Sequence, residues 1–329
     1  INDLYSEVRA EQDKDEEYRL DTFQVDVRAP HIPIRDGLGA RMVDAPAEQI
    51  VTSNPQAFVE ILKGPKDAEE RISRVINGWI QVLKRQNPNP FKESVKNKLA
   101  RGENYIKLVH NEGLGIPVLF PILDPKVIYG SPEEDDNGIP YKVIVSYERQ
   151  PLDVIVRYPH WTNPKDVGAG DNIQKRVTWF EYWDAESRYF EADGEAVLKG
   201  EIQPNIYGFV PFIRKYSGFG RRSFEGKLEQ LIVSDLRYNR DLLREDCIMR
   251  SDISSTLHLF AHKTRLITSP GQIKKEDFEK VEWGAYDIVA ISNLPPGTKV
   301  EIPEVPLPSK ELLQYFATNR AELNQRNPF

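Results

Sequence analysis

The sequence predicts an α+β fold in which helices, a run of strands and a very long helix occupy successive parts of the chain. Apolar residues recur with a helical period over residues 67–85. The apolar period changes to two residues between 116 and 216, as expected for strands. Residues 221–268 contain no proline and a single glycine, Gly226, which indicates one long helix. With 329 residues, the chain is long enough for two or more hydrophobic cores.

This long helix has start and stop signals. Ser223 is a suitable N-cap residue, and Glu225 would lie in the positively polarised first turn. Ser269-Pro270-Gly271 ends the pattern, because a proline disfavours helical backbone in the residue before it. About 40 residues with a rise of about 1.5 Å each would give a rod about 60 Å long, several times the usual helix length.

The predicted long helix carries an apolar sector and two charged stripes. The apolar sector contains Leu228, Leu231, Ile232, Leu236, Leu242, Leu243, Met249, Ile253, Leu257 and Phe260. The opposite side carries a basic stripe of Arg237, Arg240 and Arg244, and an acidic stripe beside it of Asp241, Glu245 and Asp252. Copies of the helix packed side by side would bury the apolar sector and form salt bridges between the stripes. A solvated charged face in a monomer explains the same pattern equally well.

Composition narrows the range of functions. The net charge of −7 argues against a tight DNA-binding protein, which needs a basic face, but allows a protein through which DNA passes. Cys247 is the only cysteine, so we expect no disulfide or thiolate metal site and a reducing, intracellular origin. No apolar run is long enough for a membrane span, and there is no signal peptide. Because the sequence begins with Ile1 and ends just after a new helical pattern, we expect residues to be missing at both ends.

The remaining elements follow from local patterns. We expect a polar helix over residues 1–20, a loop-rich segment over 21–55, helices over 67–85 and 91–102, and a strand over 105–109. Further strands are expected over 117–123, 141–147, 153–158, 177–182, 188–191 and 196–198. One hairpin is crowded with aromatic residues that we interpret as sheet core: Trp179, Phe180, Tyr182, Trp183, Tyr189 and Phe190.

A compact piece follows the long helix over residues 266–306. We expect it to contain a short strand, a helix over 274–281, a strand over 285–292, a turn at 295–297 and a strand over 299–302. A second helix then starts at Ser309, a good N-cap residue. The piece is too small to bury Phe278, Trp283 and Tyr286 fully, so these side chains are candidates for contacts with a neighbouring subunit or partner. Packing within its own small core is the competing interpretation.

No catalytic motif in the sequence is complete. His258 and His262 have the spacing of a zinc-binding helix, but Leu259 replaces the glutamate that would activate water. Residues 220–227 are not a phosphate-binding loop, because Leu228 stands where Ser or Thr would hold Mg²⁺. The acidic turn at 131–138 lacks EF-hand spacing. We therefore expect no enzyme activity, no metal and no cofactor. The alternative is a metal-dependent DNA-processing hydrolase that uses His258 and His262.

The order of these parts over residues 65–329 resembles the portal proteins of tailed bacteriophages, also called head-to-tail connectors. The residues that carry the resemblance are the helix around Trp79, the strand entry Gly102-x-x-Tyr105-Ile106-Lys107-Leu108, the strand after Asp124-Pro125, and Asn205-x-Tyr207-Gly208-x-Val210-Pro211-Phe212 before the long helix. The resemblance implies a ring-forming, portal-like fold. Its parts would be a mixed α/β wing at 1–216, a first stem helix at 217–268, a small α/β clip at 269–306 and the start of a second stem helix at 307–329. The helical crown of the family is absent from this sequence.

The resemblance implies a structural role without catalysis. Portal proteins form a homo-oligomeric ring, usually of twelve subunits, at one capsid vertex of the virion, after assembly in the host cytoplasm. Double-stranded DNA passes through the ring non-specifically during packaging and ejection. The implied partners are the large terminase, a head-completion or tail adaptor protein, and the major capsid and scaffolding proteins. The two charged stripes would lie at the subunit interface, the clip aromatics Phe278, Trp283 and Tyr286 would dock partners, and the DNA channel would be lined by Lys263, Arg265, Lys274 and Lys275.

Overall fold

The structure is a computed structural model that describes residues 2–27, 31–53, 56–60, 65–111, 116–119, 122–162, 175–200, 202–221, 227–261, 266–268, 296–297, 299–301 and 308–326. It contains both helices and antiparallel strands, which confirms the predicted α+β class. The chain forms two compact units. Among the described residues, the first unit contains 2–23 and 37–240, and the second contains 24–36 and 241–326.

The helices of the first unit that precede the long helix are α1 (Asn2–Arg19), α2 (Leu38–Thr52), α3 (Lys66–Lys84), α4 (Pro90–Arg101) and α5 (Pro151–Arg157). The predicted helices over 1–20, 67–85 and 91–102 are thus confirmed to within one or two residues. None of the helices in the described part of the chain combines the length and the apolar character needed to cross a bilayer.

Helix α4 shows how local sequence sets both ends of a helix. Asn89 caps its start, because Asn89 Oδ1 accepts hydrogen bonds from Phe91 N at 3.0 Å and from Lys92 N at 3.2 Å. Gly102 follows its end with a left-handed φ of 79°. A Cβ atom at Gly102 would also lie 2.7 Å from the carbonyl carbon of Val233. Only glycine satisfies both the backbone angle and this close approach.

The strands of the first unit pair with antiparallel neighbours. They are β1 (Glu103–Lys107), β2 (Val109–Asn111), β3 (Ile116–Leu119), β4 (Ile122–Leu123), β5 (Ile128–Gly130), β6 (Val143–Arg149), β7 (Val177–Trp183), β8 (Ser187–Ala192), β9 (Glu195–Ala196), β10 (Ile202–Pro204) and β11 (Phe212–Tyr216). The main sheet has the order β10-β8-β7-β6-β5, with β9 paired to β8. A second sheet has the order β11-β1-β4, and β2 pairs with β3.

The core of the first unit lies on one face of the main sheet. Trp179 and Trp183 lie four residues apart on the same face of β7, and both are buried. Phe190 of β8 packs beside both rings. Tyr182 and Tyr189 lie on the opposite, half-buried face. The prediction of sheet core is therefore confirmed for Trp179, Trp183 and Phe190, whereas Phe180, Tyr182 and Tyr189 are only half-buried.

Some elements differ from the prediction. Residues 151–157 form α5, although a strand is expected at 153–158, because Pro151 in the first turn fixes φ at a helical value. Residues 38–52 form α2 within the segment expected to be loop-rich, where burial of Met42 and Val43 outweighs the effect of Pro46 inside the helix. The strand expected over 117–123 is represented by two short strands, β3 and β4, which pair with different neighbours.

The long helix is shorter than predicted and is interrupted. A four-residue helix, α6 (Leu228–Leu231), is followed by non-helical residues 232–234 and then by the long helix α7 (Asp235–Ala261). The interruption has a packing cause, because Ile232 and Ser234 are fully buried and the backbone of Val233 lies against Gly102. Ser234 starts α7 by accepting a hydrogen bond at Oγ from Arg237 N at 3.0 Å. At 27 residues, α7 is about 40 Å long rather than about 60 Å.

Within its described residues, the second unit contains α7 from residue 241 onward, two short strands and a further helix. The strands are β12 (Leu266–Thr268) and β13 (Lys299–Glu301). They confirm the short strand predicted from residue 266 and the strand predicted over 299–302, and they show that the long helix does not continue to residue 268. They pair antiparallel, with Leu266 opposite Glu301. The last helix, α8 (Lys310–Arg326), begins at the predicted cap, since Leu312 N donates to Ser309 Oγ at 3.1 Å. The predicted helix over 274–281 and strand over 285–292 lie outside the described residues.

Candidate interface along the long helix

Arg240, from the predicted basic stripe, is held by α1 of its own chain. Its Nε donates to Asp15 Oδ1 at 2.8 Å, and its Nη1 donates to Glu11 Oε2 at 2.6 Å. Its Nη2 donates to the Glu11 carbonyl oxygen at 2.6 Å. Asp15 is fully buried and Arg240 is largely buried. The contacts therefore form a desolvated, hydrogen-bonded ion pair between residues 225 positions apart.

Arg237 belongs to the same cluster. Its Nη1 donates to the Glu229 carbonyl oxygen at 2.9 Å, which ties α7 to α6 across the interruption. Its Nη2 lies 3.9 Å from Asp15 Oδ2, and its Nε lies 3.6 Å from Glu11 Oε2. Two arginines and two carboxylates thus neutralise one another within the first unit.

The two carboxylates of this cluster respond differently to their surroundings. Partial burial raises the pKa of Glu11, but hydrogen bonds from Lys14 and Arg240 outweigh that effect and lower the pKa to about 2. Burial raises the pKa of Asp15, and the charges of Arg240 and Arg237 offset the rise only in part. Burial therefore sets the direction of the pKa shift at Asp15, whereas hydrogen bonds and nearby cations set it at Glu11.

The other stripe residues lie in the second unit and are more exposed. Arg244 pairs with Asp26, and both side chains are about half exposed. Glu245 Oε1 accepts a hydrogen bond from Tyr315 of α8 at 2.8 Å. Asp252 Oδ1 lies 2.6 Å from His31 Nδ1. Asp241 is exposed. The structure thus brings the basic stripe mainly to acidic partners in other parts of the same chain, not to the acidic stripe beside it.

A buried acidic pair, Asp36 and Asp246, was not expected from the sequence. Both side chains are at most 3% exposed, and both lie near Arg320 of α8. Arg320 Nη2 is 2.9 Å from Asp36 Oδ2, and Arg320 Nε is 3.4 Å from Asp246 Oδ1. Arg250 Nη2 is 3.5 Å from Asp36 Oδ2. Three separate segments of the second unit therefore meet at one charged cluster.

Asp246 is the carboxyl of this pair that favours a proton. Burial and the neighbouring Asp36 carboxyl raise the pKa of Asp246 to about 6, although Arg320 and Arg250 oppose the shift. Neither carboxyl oxygen of Asp246 accepts a hydrogen bond from a described N–H or O–H group. A proton shared between Asp246 and Asp36 would supply the missing hydrogen bond, because two adjacent buried carboxyls cannot easily both ionise.

A second buried ionic network fastens α1 to the sheets of the first unit. Arg214 Nη2 and Nε lie 2.9 Å and 3.1 Å from Glu103 Oε2, with both side chains fully buried. Arg9 Nη1 of α1 lies 3.2 Å from Glu103 Oε1. Tyr5 OH donates to the Gly130 carbonyl oxygen at 2.7 Å. These contacts are structural, and they make α1, which looks merely polar in sequence, an integral part of the first unit.

Several predicted site residues fall outside the described part of the chain: Phe278, Trp283, Tyr286, Lys263, Arg265, Lys274, Lys275 and His262. Their roles remain predictions. His258 is described and is exposed on α7. Within the described residues, no group of three or more His, Cys, Asp or Glu side chains is placed to hold a metal ion.

Comparison with known proteins gives limited information. No family model matches the chain, and no curated protein matches it. Among solved structures, the chain is similar to a protein in the neck of an empty gene transfer agent particle, with a TM-score of 0.47 and 13% identity. That match covers 88% of this chain and 65% of the other.

Two further solved structures give similar values. A chain from the virion of a native gene transfer agent particle has a TM-score of 0.49 and 12% identity, over 96% of this chain and 67% of the other. A chain from the neck of a native particle has a TM-score of 0.45 and 13% identity, over 94% of this chain and 73% of the other. All three TM-scores lie below 0.5, and all three identities lie below 25%.

Proposed function

We propose that this chain is a subunit of a portal ring of a phage-like particle, a structural protein through which double-stranded DNA enters and leaves the head. The proposal rests on the resemblance in the order of elements described above. It assigns no catalytic role to any residue.

The observation that carries the proposal is the arrangement of the second unit. The long helix α7 leads into a segment whose two ends, β12 and β13, pair antiparallel, and the chain then returns in α8. Tyr315 of α8 contacts Glu245 of α7, and Asn319 contacts the Leu242 carbonyl oxygen, so α8 runs antiparallel to α7. In the proposal, the two antiparallel helices correspond to the two stem helices, and the segment between the paired strands corresponds to the clip.

In this proposal the clip docks the large terminase and later a tail adaptor, through Phe278, Trp283 and Tyr286. The net charge of −7 supports a channel that lets DNA slide, because a strongly basic tunnel would hold the phosphates. The major capsid and scaffolding proteins would be neighbours at the capsid vertex.

The contacts that each stripe residue makes within its own chain indicate which of these residues could also contact a neighbouring subunit. Arg237 and Arg240 are engaged by α1 within the first unit. Arg244, Asp241 and Asp252 are more exposed and therefore better placed to reach a neighbouring subunit. Glu245 has one carboxylate oxygen occupied by Tyr315.

Native mass and electron microscopy of the purified protein test the proposal. A ring of the usual portal size would have roughly twelve times the 37.9 kDa mass of the chain and a central hole in negatively stained images. A monomer or dimer at every protein concentration would refute the proposal. Stoichiometric zinc in such a monomer would favour the hydrolase that uses His258 and His262.

A further inference from the structure

Helix α3 has an apolar surface that the chain covers only in part. Leu83 is buried, at 4% exposure, on the side that packs into the first unit. On the adjoining side, Val75 is 72% exposed, Ile72 is 42% exposed and Val82 is 40% exposed. An amphipathic helix normally buries its apolar side. The uncovered part of α3 therefore has the character of a contact surface.

Apolar residues on this side of α3 follow the spacing of a helix-pairing seam. The exposed residues Ile72, Val75 and Val82, together with the partly buried Ala68 and Trp79, are separated by alternating steps of four and three residues. This alternation is the seven-residue repeat of helices that pack lengthwise on another helix. We call these five residues the α3 seam. The repeat runs through nearly the whole of α3, so the expected occupant is a helix rather than a loop or a strand.

The side of α3 opposite the seam is already occupied. Asn77 Oδ1 accepts a hydrogen bond from Ala57 N at 2.7 Å, and Asn77 Nδ2 donates to the Ala57 carbonyl oxygen at 3.0 Å. Ser73 Oγ accepts a hydrogen bond from Val59 N at 3.1 Å. These contacts fix the orientation of α3 about its own axis. The seam is thus held on the outside by contacts made elsewhere on the helix.

The flank of the seam indicates the charge of its occupant. Arg71, Gly78 and Arg85 follow one another at seven-residue intervals along that flank, and all are exposed. A Cβ atom at Gly78 would meet nothing within 4 Å, so a second helix can approach closely at the middle of the seam. Self-pairing of α3 in the antiparallel sense would bring Arg71 of one copy towards Arg85 of the other, which like charges oppose.

We propose that the α3 seam binds one amphipathic helix of a different protein, with glutamate or aspartate residues beside its apolar stripe. The apolar stripe would cover Ile72, Val75 and Val82, and the acidic residues would pair with Arg71 and Arg85. This inference does not depend on the proposed ring, since it rests only on α3 and the segment that holds it.

The test uses two synthetic helical peptides of three heptads, both with leucine at the apolar positions that would face the α3 seam. One peptide has glutamate at the flanking positions, and the other has lysine. Binding to the purified full chain is measured by fluorescence anisotropy. The glutamate peptide should bind, and the lysine peptide should bind roughly tenfold more weakly, because two flanking charge pairs change from attraction to repulsion. Failure of both peptides to bind, or equal binding of both, would overturn the proposal.

Matched variants separate docking from folding. Val75→Glu replaces an exposed side chain, so it should abolish binding without changing the thermal transition of the chain. Glu70→Ala, at an exposed position away from the seam, is the control and should bind normally. Arg71→Glu combined with Arg85→Glu should reverse the preference towards the lysine peptide. An unchanged preference would refute the charge pairing. Sedimentation in which Val75→Glu dissolves a dimer of the unmodified chain would show that a second copy is the occupant instead.

Discussion

Replacing Asp246 by asparagine gives a direct measure of the buried acidic pair. Asp246 is 1% exposed, and its pKa rises from an ordinary value of 3.8 to about 6 in the folded chain. A carboxyl whose folded pKa lies above its unfolded pKa destabilises the folded state once it ionises. The penalty is absent below about pH 4, grows as the pH rises to about 6, and is constant above that value. Two pKa units correspond to about 3 kcal/mol.

Asparagine has nearly the shape of a protonated aspartic acid, and its amide can donate a hydrogen bond to Asp36. Asp246→Asn should therefore raise the free energy of unfolding of the second unit by about 2–3 kcal/mol near pH 7.5. Near pH 4 the variant and the unmodified chain should be equally stable. Urea denaturation followed by far-ultraviolet circular dichroism at both pH values makes the comparison.

The matched control for this prediction is Asp252→Asn, which removes a half-exposed carboxyl from the same helix. The control should change stability by less than about 1 kcal/mol at either pH. The reasoning fails if Asp246→Asn destabilises the chain at neutral pH. That result would mean that Asp246 is ionised and that its attraction to Arg320 outweighs the cost of burial.

Three other substitutions have defined outcomes. Arg240→Ala leaves Asp15 buried beside a single, more distant arginine, so it should lower the free energy of unfolding in urea by about 3 kcal/mol. Arg244→Ala removes a half-exposed ion pair and should lower it by less than about 1 kcal/mol. Equal losses would contradict the burial assigned to Arg240 and Asp15. Gly102→Ala should lower the free energy of unfolding by at least about 2 kcal/mol. Gly194 also has a positive φ but has open space around it, so Gly194→Ala should lower it by only about 1 kcal/mol. Similar losses would rule out a steric contribution from the contact of Gly102 with Val233. Arg244→Glu should shift a ring to smaller species in light scattering, and an unchanged native mass would remove this residue from the subunit interface.

The sequence predicts best those features that depend on neighbouring residues, such as helix caps and the alternation of buried side chains along a strand. The predicted cap at Ser309 is confirmed, since Leu312 N donates to Ser309 Oγ. The cap at Asn89 and the left-handed Gly102 were not predicted, although they obey the same short-range rules. The aromatic hairpin was predicted as core because alternation along a strand reports burial directly, as Trp179 and Trp183 show.

Long-range contacts decided the features that the sequence did not predict. The interruption at residues 232–234 depends on the fit of Val233 against Gly102, more than 100 positions earlier. The basic stripe was compared with the acidic residues nearest in sequence, but Arg240 pairs with Asp15, which is 225 positions away. The pairing of Asp36 with Asp246 likewise has no local pattern, since neither residue belongs to a motif.

The position of α1 has a consequence for the order of events during protein synthesis. This helix is synthesised well before the residues that anchor it, Glu103, Gly130 and Arg240. At about 5–20 residues per second, roughly 10–45 seconds separate the appearance of α1 from that of Arg240. Until then Asp15 remains solvated and the first unit cannot close. During that interval α1 stays in water without its partners, which suits a helix whose surface is mostly polar and which buries only a few side chains, such as Tyr5 and Asp15.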